Sequence, residues 1–306
     1  MSAMELLSPL SLSPLPLAHE GSASLPLGWG FDPLVWVSIG LAAVLYARGL
    51  RRWRPRSYLY SWWHPIAFYL ALGLALVALE SPLHHLSEEL LAAHMVQHML
   101  LSTWAMPLLV LGAPLTPILR GLPSALRLGV VRPLARNRLA RRLFPVLVRP
   151  LPAFVLMTGA LWAWHLPAAY EFALGNGAAH ALQHVTFALT AGLFWAALMD
   201  IQPLHSRLSY LGRILFLLAA AAQTTVLSLL ILTAEGELYP FYAKASGAWG
   251  LSPAQDLQAA GLLMLSDGLM MYLAAIVVCA LVWLGKEERR DEEEERAAAG
   301  AGAPGP

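Results

Sequence analysis

The sequence predicts an all-α fold, a polytopic membrane helix bundle of about seven transmembrane helices, and three observations lead to this class. Hydrophobic residues make up 58% of the 306 residues and charged residues only 13%, whereas about a quarter of a soluble domain is charged. Seven nearly uncharged stretches have about the length that a helix needs to cross the hydrocarbon core. The basic residues fall into alternate connections, which is the pattern that sets the orientation of membrane helices.

The seven stretches differ in how clearly they predict a span. In chain order they are 33–47, 62–79, 90–111, 151–166, 178–199, 213–235 and 256–286. Each is predicted to be a helix, because backbone groups find no water to bond to in lipid. The first is the shortest, the third continues without charge as far as Arg120, and the seventh contains a single internal charge, Asp267.

Three further regions flank or interrupt this transmembrane domain, which covers residues 31–285. Residues 1–30 are rich in proline and serine and are predicted to form a flexible external tail. The connection 117–150 mixes arginines with leucines, which favours a short amphipathic helix on the lipid surface. Residues 286–306 are dense in charge and are predicted to form a disordered cytoplasmic tail.

The orientation follows from lysine and arginine, which concentrate on the cytoplasmic side. Nineteen of the twenty basic residues lie in the connections after odd-numbered helices and in the tail, and Lys244 is the exception. We therefore expect the amino terminus outside and the carboxyl terminus in the cytoplasm. Seven of the ten histidines then lie at or near the outer face: His84, His85, His94, His98, His165, His180 and His184.

Two of these histidine groups share one pattern, HxxQH. His94 to His98 opens the third predicted helix, and His180 to His184 opens the fifth. Residues four apart lie on one face of a helix, so each pair offers two imidazoles in the same direction. A proline-containing helix end precedes each pair, which indicates a parallel repeat of helices 2–3 and 4–5 that brings the pairs together. The sequence thus predicts a site of four imidazoles.

The chemistry of the residues around these pairs favours a metal. Imidazole suits copper, zinc and iron, and thioether selects Cu(I), so Met95 and Met99 join the four histidines as predicted ligands. The accessory candidates are His165, Gln97, Gln183, Asp256, Met264 and Asp267. Each group also has a structural reading, because a histidine at a helix end can simply hydrogen-bond a neighbour, a methionine can pack in a core, and Asp267 can be a protonated interhelical hydrogen bond.

Taken together, these motifs resemble a known family, the multi-pass CtaG-type assembly factors for caa-type cytochrome c oxidases. The resemblance runs from about Trp62 to Met264. It rests on the runs Ser81-Pro82, His94-Met95-Val96-Gln97-His98-Met99, Gly112-Ala113-Pro114, Trp164-His165-Leu166-Pro167, Leu238-Tyr239-Pro240-Phe241-Tyr242 and Asp256-Leu257-Gln258-Ala259-Ala260-Gly261. The chain departs from the pattern at Leu257, Leu265 and Asp267, so no role is carried over to the inner part of the seventh helix.

The resemblance implies a non-enzymatic role in assembling a haem-copper oxidase by supplying copper to its catalytic subunit. We expect Cu(I) to arrive from a copper carrier on the outer side of a bacterial plasma membrane. Two other functions stay open: a haem-binding or haem-handling membrane protein, since paired imidazoles are common axial ligands, and a zinc-dependent membrane hydrolase that uses histidines, Asp267 and Ser81. The lipid bilayer is the remaining expected partner, and we expect no nucleic acid.

Overall fold

The structure is a computed structural model that describes residues 28–53, 60–201, 205–236, 238–243 and 249–301. The regular elements of these residues are helical. They are α1 (Pro33–Arg52), α2 (Trp63–Glu80), α3 (Pro82–Glu89), α4 (Leu91–Met99), α5 (Met106–Leu111), α6 (Leu115–Gly121), α7 (Ser124–Leu126), α8 (Arg132–Arg136), α9 (Arg138–Leu147), α10 (Pro150–His165), α11 (Pro167–Leu174), α12 (Gly177–Leu198), α13 (Tyr210–Leu232), α14 (Pro240–Ala243) and α15 (Pro253–Ala301). Two π-helical segments, Leu100–Ala105 and Arg127–Val131, join α4 to α5 and α7 to α8. Most of the predicted external tail lies outside the described residues.

The helices confirm the predicted membrane bundle. Five of them, α1, α2, α12, α13 and α15, are each long and apolar enough to cross a membrane. Two bent pairs bring the number to seven if each is one span: α4 through α5 with α6, bent by 71°, and α9 with α10, bent by 80°. The helix positions follow the seven uncharged stretches closely, because length and lack of charge decide what lipid accepts.

Prolines and short polar caps set where the helices begin. Ser81 Oγ accepts the backbone N–H of Leu83 at the start of α3, and Asn176 Oδ1 accepts that of Ala179 at the start of α12. Such caps satisfy amide donors that have no partner within the helix. Proline stands in the first turn of α3, α10 and α11, where its missing N–H costs nothing.

The predicted repeat is visible in the order of the elements. A long helix, an eight-residue helix that begins with proline and a second helix carrying HxxQH follow one another as α2–α3–α4, and again as α10–α11–α12. Short helices α3 and α11 thus replace the plain turns that hydropathy alone would predict.

Contacts between charged residues and their neighbours join the helices at both ends of the bundle. At one end, the guanidinium of Arg213 and the ammonium of Lys286 lie over the Tyr210 ring, 4.9 and 5.1 Å from its centroid. At the other end, Glu80 Oε2 accepts the N–H of Asp32 at 3.0 Å. Since α12 has 22 residues, the two ends are about 33 Å apart. Which end faces the cytoplasm stays a prediction from loop charge.

The carboxyl-terminal segment differs from the disordered tail that the sequence predicts. Helix α15 continues beyond Lys286 to Ala301. Glutamate, arginine and alanine are strong helix formers, and the ion pairs Arg290–Glu294 and Glu292–Arg296 join residues one turn apart. Local helix propensity therefore extends the seventh span beyond its apolar part.

In the basic connection, α9 is the predicted amphipathic helix. Leu139, Leu143 and Phe144 on α9 are between 48% and 63% exposed, and the bend of 80° before α10 turns the axis of α9 away from that of the span. An exposed apolar face flanked by arginines suits the membrane surface.

Helix α1 packs against α6 at a backbone contact that only glycine allows. A Cβ placed on Gly49 would lie 1.7 Å from the carbonyl oxygen of Pro117, and one on Gly121 would lie 1.9 Å from that of Leu45. A Cβ on Gly73 of α2 would meet nothing within 4 Å. The half-span α6 is thus held to α1 by direct backbone contact.

Candidate metal centre

The structure brings the two HxxQH turns together between α4 and α12. Within each turn the imidazole centroids are 4.3 Å apart. Between the turns, His94 lies 5.2 Å from His180, and His98 lies 5.2 Å from His184. Equivalent positions of the two repeats therefore face each other. One ring nitrogen each from His94, His98 and His180 lies within 4.8 Å of the others.

The ring nitrogens at the centre of this cluster have no hydrogen-bond partner. The Nε2 atoms of His94, His98, His180 and His184 are all buried and unpaired among the described residues, as is Nδ1 of His98. His94 is 1% exposed and His98 is 5% exposed. Buried polar atoms are nearly always paired in proteins, so these unpaired nitrogens make the cluster a candidate ligand site.

Tyr242 fixes the ring of His94. Its hydroxyl donates to the carbonyl of Ser87 at 2.8 Å and lies 2.9 Å from Nδ1 of His94. Burial raises the pKa of Tyr242 well above its usual value, so the hydroxyl keeps its proton. Since that proton goes to Ser87, we assign the N–H of His94 to Nδ1, which leaves the lone pair of Nε2 free. A hydrogen bond to the far nitrogen is the usual support of a metal-binding histidine.

Asp256 acts on the helix rather than on the imidazoles. Its two carboxylate oxygens accept the backbone N–H groups of Leu91 and Ala92, at 2.8 and 2.9 Å, and the residue is 1% exposed. A negative charge at the start of α4 also complements the helix dipole. Asp256, predicted as an accessory ligand, instead caps the helix that carries His94 and His98.

The two glutamines of the motif do not occupy equivalent environments. Gln97 Nε2 donates to the carbonyl of Ala78 at 2.8 Å and lies 3.2 Å from Nδ1 of His84, so it ties α4 to α2. Gln183 is 1% exposed, and neither amide atom has a partner in the described part of the chain. Gln97 also brings His84 beside the cluster as a further imidazole.

The remaining predicted residues line a cavity next to the four imidazoles. Met95, Met99, Met264, His165 and Asp267 all contribute to its wall, and His98 belongs to both the wall and the cluster. Asp267 is thus not among the clustered ligand atoms. Its Oδ1 accepts the indole N–H of Trp104 at 2.7 Å, which matches the structural reading of this aspartate as an interhelical hydrogen bond.

The sequence did not predict the tyrosines that surround the cluster. The ring of Tyr170 lies 5.4 Å from that of His94, and Tyr239 donates to the carbonyl of His165 at 2.9 Å. Tyr170 and Tyr239 are both buried. Tyr239 and Tyr242 entered the sequence argument only through the family resemblance. The available signal was the placement of Tyr239 and Tyr242 three residues apart in a connection between spans.

The donor set is neutral and made of nitrogen. No carboxylate joins the imidazoles in the group that the described residues form. Tetrahedral coordination at about 2.0 Å would place the nitrogens about 3.3 Å apart, and the ring nitrogens of His94, His98 and His180 lie within 4.8 Å of one another. The site fits a small metal ion of low charge.

Comparison with known proteins identifies a family. Residues 44–286 match the model of the cytochrome c oxidase caa3 assembly factor family. Uncharacterized proteins of Mycobacterium bovis and Mycobacterium tuberculosis are each 25% identical over 267 residues, which is 85% of this chain and 40% of the relative. An uncharacterized protein of Mycobacterium leprae is 24% identical over 266 residues, with the same coverage. The chain therefore spans well under half the length of these relatives. No solved structure matches.

Proposed function

Because the chain belongs to the cytochrome c oxidase caa3 assembly factor family, we propose that it holds Cu(I) and delivers it to the catalytic subunit of a haem-copper oxidase. The copper is cargo, so the protein is a metallochaperone rather than an enzyme. The ion would arrive from a carrier protein at the outer face of a bacterial plasma membrane. His94, His98, His180 and His184 would hold it, with Met95 or Met99 at the cavity side.

One observation carries the proposal: the buried Nε2 atoms of all four histidines lack a hydrogen-bond partner among the described residues, and ring nitrogens of His94, His98 and His180 lie within 4.8 Å of one another. A structural cluster would pair these nitrogens with hydroxyls or carbonyls, because an unpaired buried polar atom is costly. Tyr242 pairs the far nitrogen of His94 and leaves Nε2 free. One paired and one free ring nitrogen is the arrangement expected of a metal-binding histidine. A histidine that only packs in the core gains nothing from the unpaired nitrogen.

The charge of the site favours Cu(I) over Zn²⁺. The cost of burying an ion grows with the square of its charge, and the cluster contains no carboxylate to offset it. A monovalent ion on neutral imidazoles is therefore less costly in the membrane. It can also leave more easily, as delivery requires.

The outer end supplies residues that suit an incoming cation. Glu88 and Glu89 are exposed on α3, and the indole N–H of Trp249 reaches Glu89. His84 lies on the same helix and contacts Gln97 of the first HxxQH turn. Acidic residues at a rim raise the local concentration of cations.

The test is the copper content of the purified full chain. We expect Cu(I) binding to be lost when His94, His98, His180 and His184 are changed together to asparagine, which keeps polar groups in the site. His205, which is exposed and lies in the α12–α13 connection away from the cluster, provides the control variant His205→Asn. Undiminished copper in the fourfold variant would refute the proposal.

A haem does not fit this arrangement. The centroids of His94 and His184 are 6.5 Å apart, and His98 and His180 each lie 4.3 to 5.2 Å from both of these rings. Haem binding would require the four rings to separate. A Soret band in the purified protein would show that they do.

The hydrolase reading loses two of its residues in this geometry. Ser81 caps α3, and Asp267 bonds Trp104 outside the imidazole group. Zinc-dependent hydrolysis of lipids by the purified protein would restore that function.

A further inference from the structure

The cavity beside the imidazole cluster is lined with sulfur. Four of the ten methionines of the chain, Met95, Met99, Met157 and Met264, belong to its wall. They come from α4, α10 and α15, so three helices converge to present thioethers to one space. The volume that the centres of water molecules can occupy in this cavity is about 80 Å³. One water molecule needs only about 10–15 Å³ on the same measure.

Methionines alone would be ordinary core packing, but two polar atoms in the same wall lack partners. His165 is 6% exposed, its Nδ1 is 2.7 Å from the carbonyl of Leu161, and its Nε2 is buried without a partner in the described residues. Asp267 Oδ2 is also buried and makes no hydrogen bond of normal geometry there, although Thr103 lies beside the carboxylate. The wall therefore offers nitrogen, oxygen and sulfur donors.

The backbone is irregular at the same place. The π-helical segment Leu100–Ala105 begins two residues after His98. Ser102 and Thr103 of this segment line the cavity, and Trp104 bonds Asp267. Such segments inside helices frequently mark functional sites. Here the segment links the imidazole cluster to the cavity through one continuous stretch of chain.

We propose that this cavity is a second Cu(I) site, in which Met157, Met264 and His165 bind the ion and Asp267 balances its charge. Thioethers prefer Cu(I) over divalent ions, and an ionised carboxylate with a monovalent cation is a neutral pair. His98 belongs to both sites, so the ion can pass between them by exchanging ligands one at a time, with no change of oxidation state. The inference rests on the proposed function for the identity of the metal. It adds a second binding site that the copper ion can occupy after the imidazole site.

The experiment counts Cu(I) in the purified full chain under anaerobic conditions, by titration against a chromogenic copper chelator, and identifies ligands by X-ray absorption. We expect two ions per wild-type chain, with nitrogen and sulfur scatterers. The double variant Met157→Leu/Met264→Leu keeps the side-chain volume and should bind one ion. Met271→Leu, on the same helix but outside the cavity wall, should bind two.

The fourfold histidine variant separates this inference from the proposed function. If it retains one sulfur-bound ion, both sites are supported. If the fourfold histidine variant retains all its copper, the imidazole site is refuted. The cavity site is still supported in that case if Met157→Leu/Met264→Leu abolishes the sulfur signal. Two ions with unchanged sulfur scattering in that double variant would overturn the inference. Selenomethionine labelling of the wild type gives a measurement independent of variant folding: absence of copper–selenium scattering would also overturn it.

Discussion

Replacing Tyr242 by phenylalanine removes one hydroxyl from the support of the imidazole cluster. That hydroxyl makes two hydrogen bonds, to the carbonyl of Ser87 and to Nδ1 of His94. Without it, the N–H of His94 keeps only a long contact of 3.4 Å with Ser87. The ring is then free to rotate and its Nε2 no longer points reliably at the ion.

The magnitude follows from these two bonds. Leaving a buried group unsatisfied costs about 1–3 kcal/mol, and loss of a hydrogen bond behind a metal ligand lowers affinity about 10–100-fold, which corresponds to about 1.4–2.8 kcal/mol. We therefore expect Tyr242→Phe to bind Cu(I) at least about tenfold more weakly. The measurement is a Cu(I) dissociation constant by chelator competition, with the unfolding temperature measured alongside.

Tyr46 offers a matched control. It is fully buried, its hydroxyl donates to the carbonyl of Gly112 at 2.7 Å and also bonds the hydroxyl of Tyr60, and it lies on α1, away from the histidines. Tyr46→Phe should lower the unfolding temperature and leave copper affinity unchanged. If both variants lose stability and neither loses affinity, Tyr242 does not position His94 and the tautomer assignment is wrong.

Three further perturbations test the scaffold. Asp256→Ala should destabilise the protein by about 1–2 kcal/mol, because it removes the cap of α4. It should also weaken copper binding, because α4 carries His94 and His98. Asp256→Asn should recover part of the stability and part of the copper affinity in the same assays. Gly49→Ala should lower the unfolding temperature sharply, since its Cβ would overlap a backbone carbonyl; Gly73→Ala, with open space around it, should be neutral or raise the temperature, and equal effects would contradict the packing argument. Burial raises the pKa of Asp200 but hydrogen bonds from Arg213 and from a backbone N–H outweigh it, so the net pKa is lowered. The stability from this pair is therefore present above the unfolded pKa and lost as pH falls through the folded value, and Arg213→Gln should remove that acid sensitivity from the unfolding curve.

The sequence predicts the parts of this protein that depend on local pattern. The span positions follow from runs without charge, and the facing of His94 with His180 follows from a repeated motif on helices that run in the same sense. The contact between Tyr242 and His94 joins residues that are 148 positions apart in the sequence, and no periodic pattern predicts it. The same holds for the carboxylate of Asp256 at the start of α4, which is 165 residues away along the chain.

Two further features depend on more than composition. The charged tail contains good helix formers, and charge alone led to the prediction of disorder, although α15 continues to Ala301. Asp267 has the chemistry of a ligand, but its distance along α15 sets it beside the cavity instead of the imidazoles. The type of a residue determines which chemistry it can perform, and its position along the helix determines which site it can reach.

The repeat also has a consequence for biosynthesis. Each half contributes two imidazoles, one pair on α4 and one on α12, so neither half alone can enclose an ion with four nitrogens. The second pair becomes available only after residue 184 has left the ribosome and α12 has inserted. A nascent chain that stalls earlier offers only the two imidazoles of α4. The proposed four-imidazole site therefore exists only in chains that have completed both halves of the bundle.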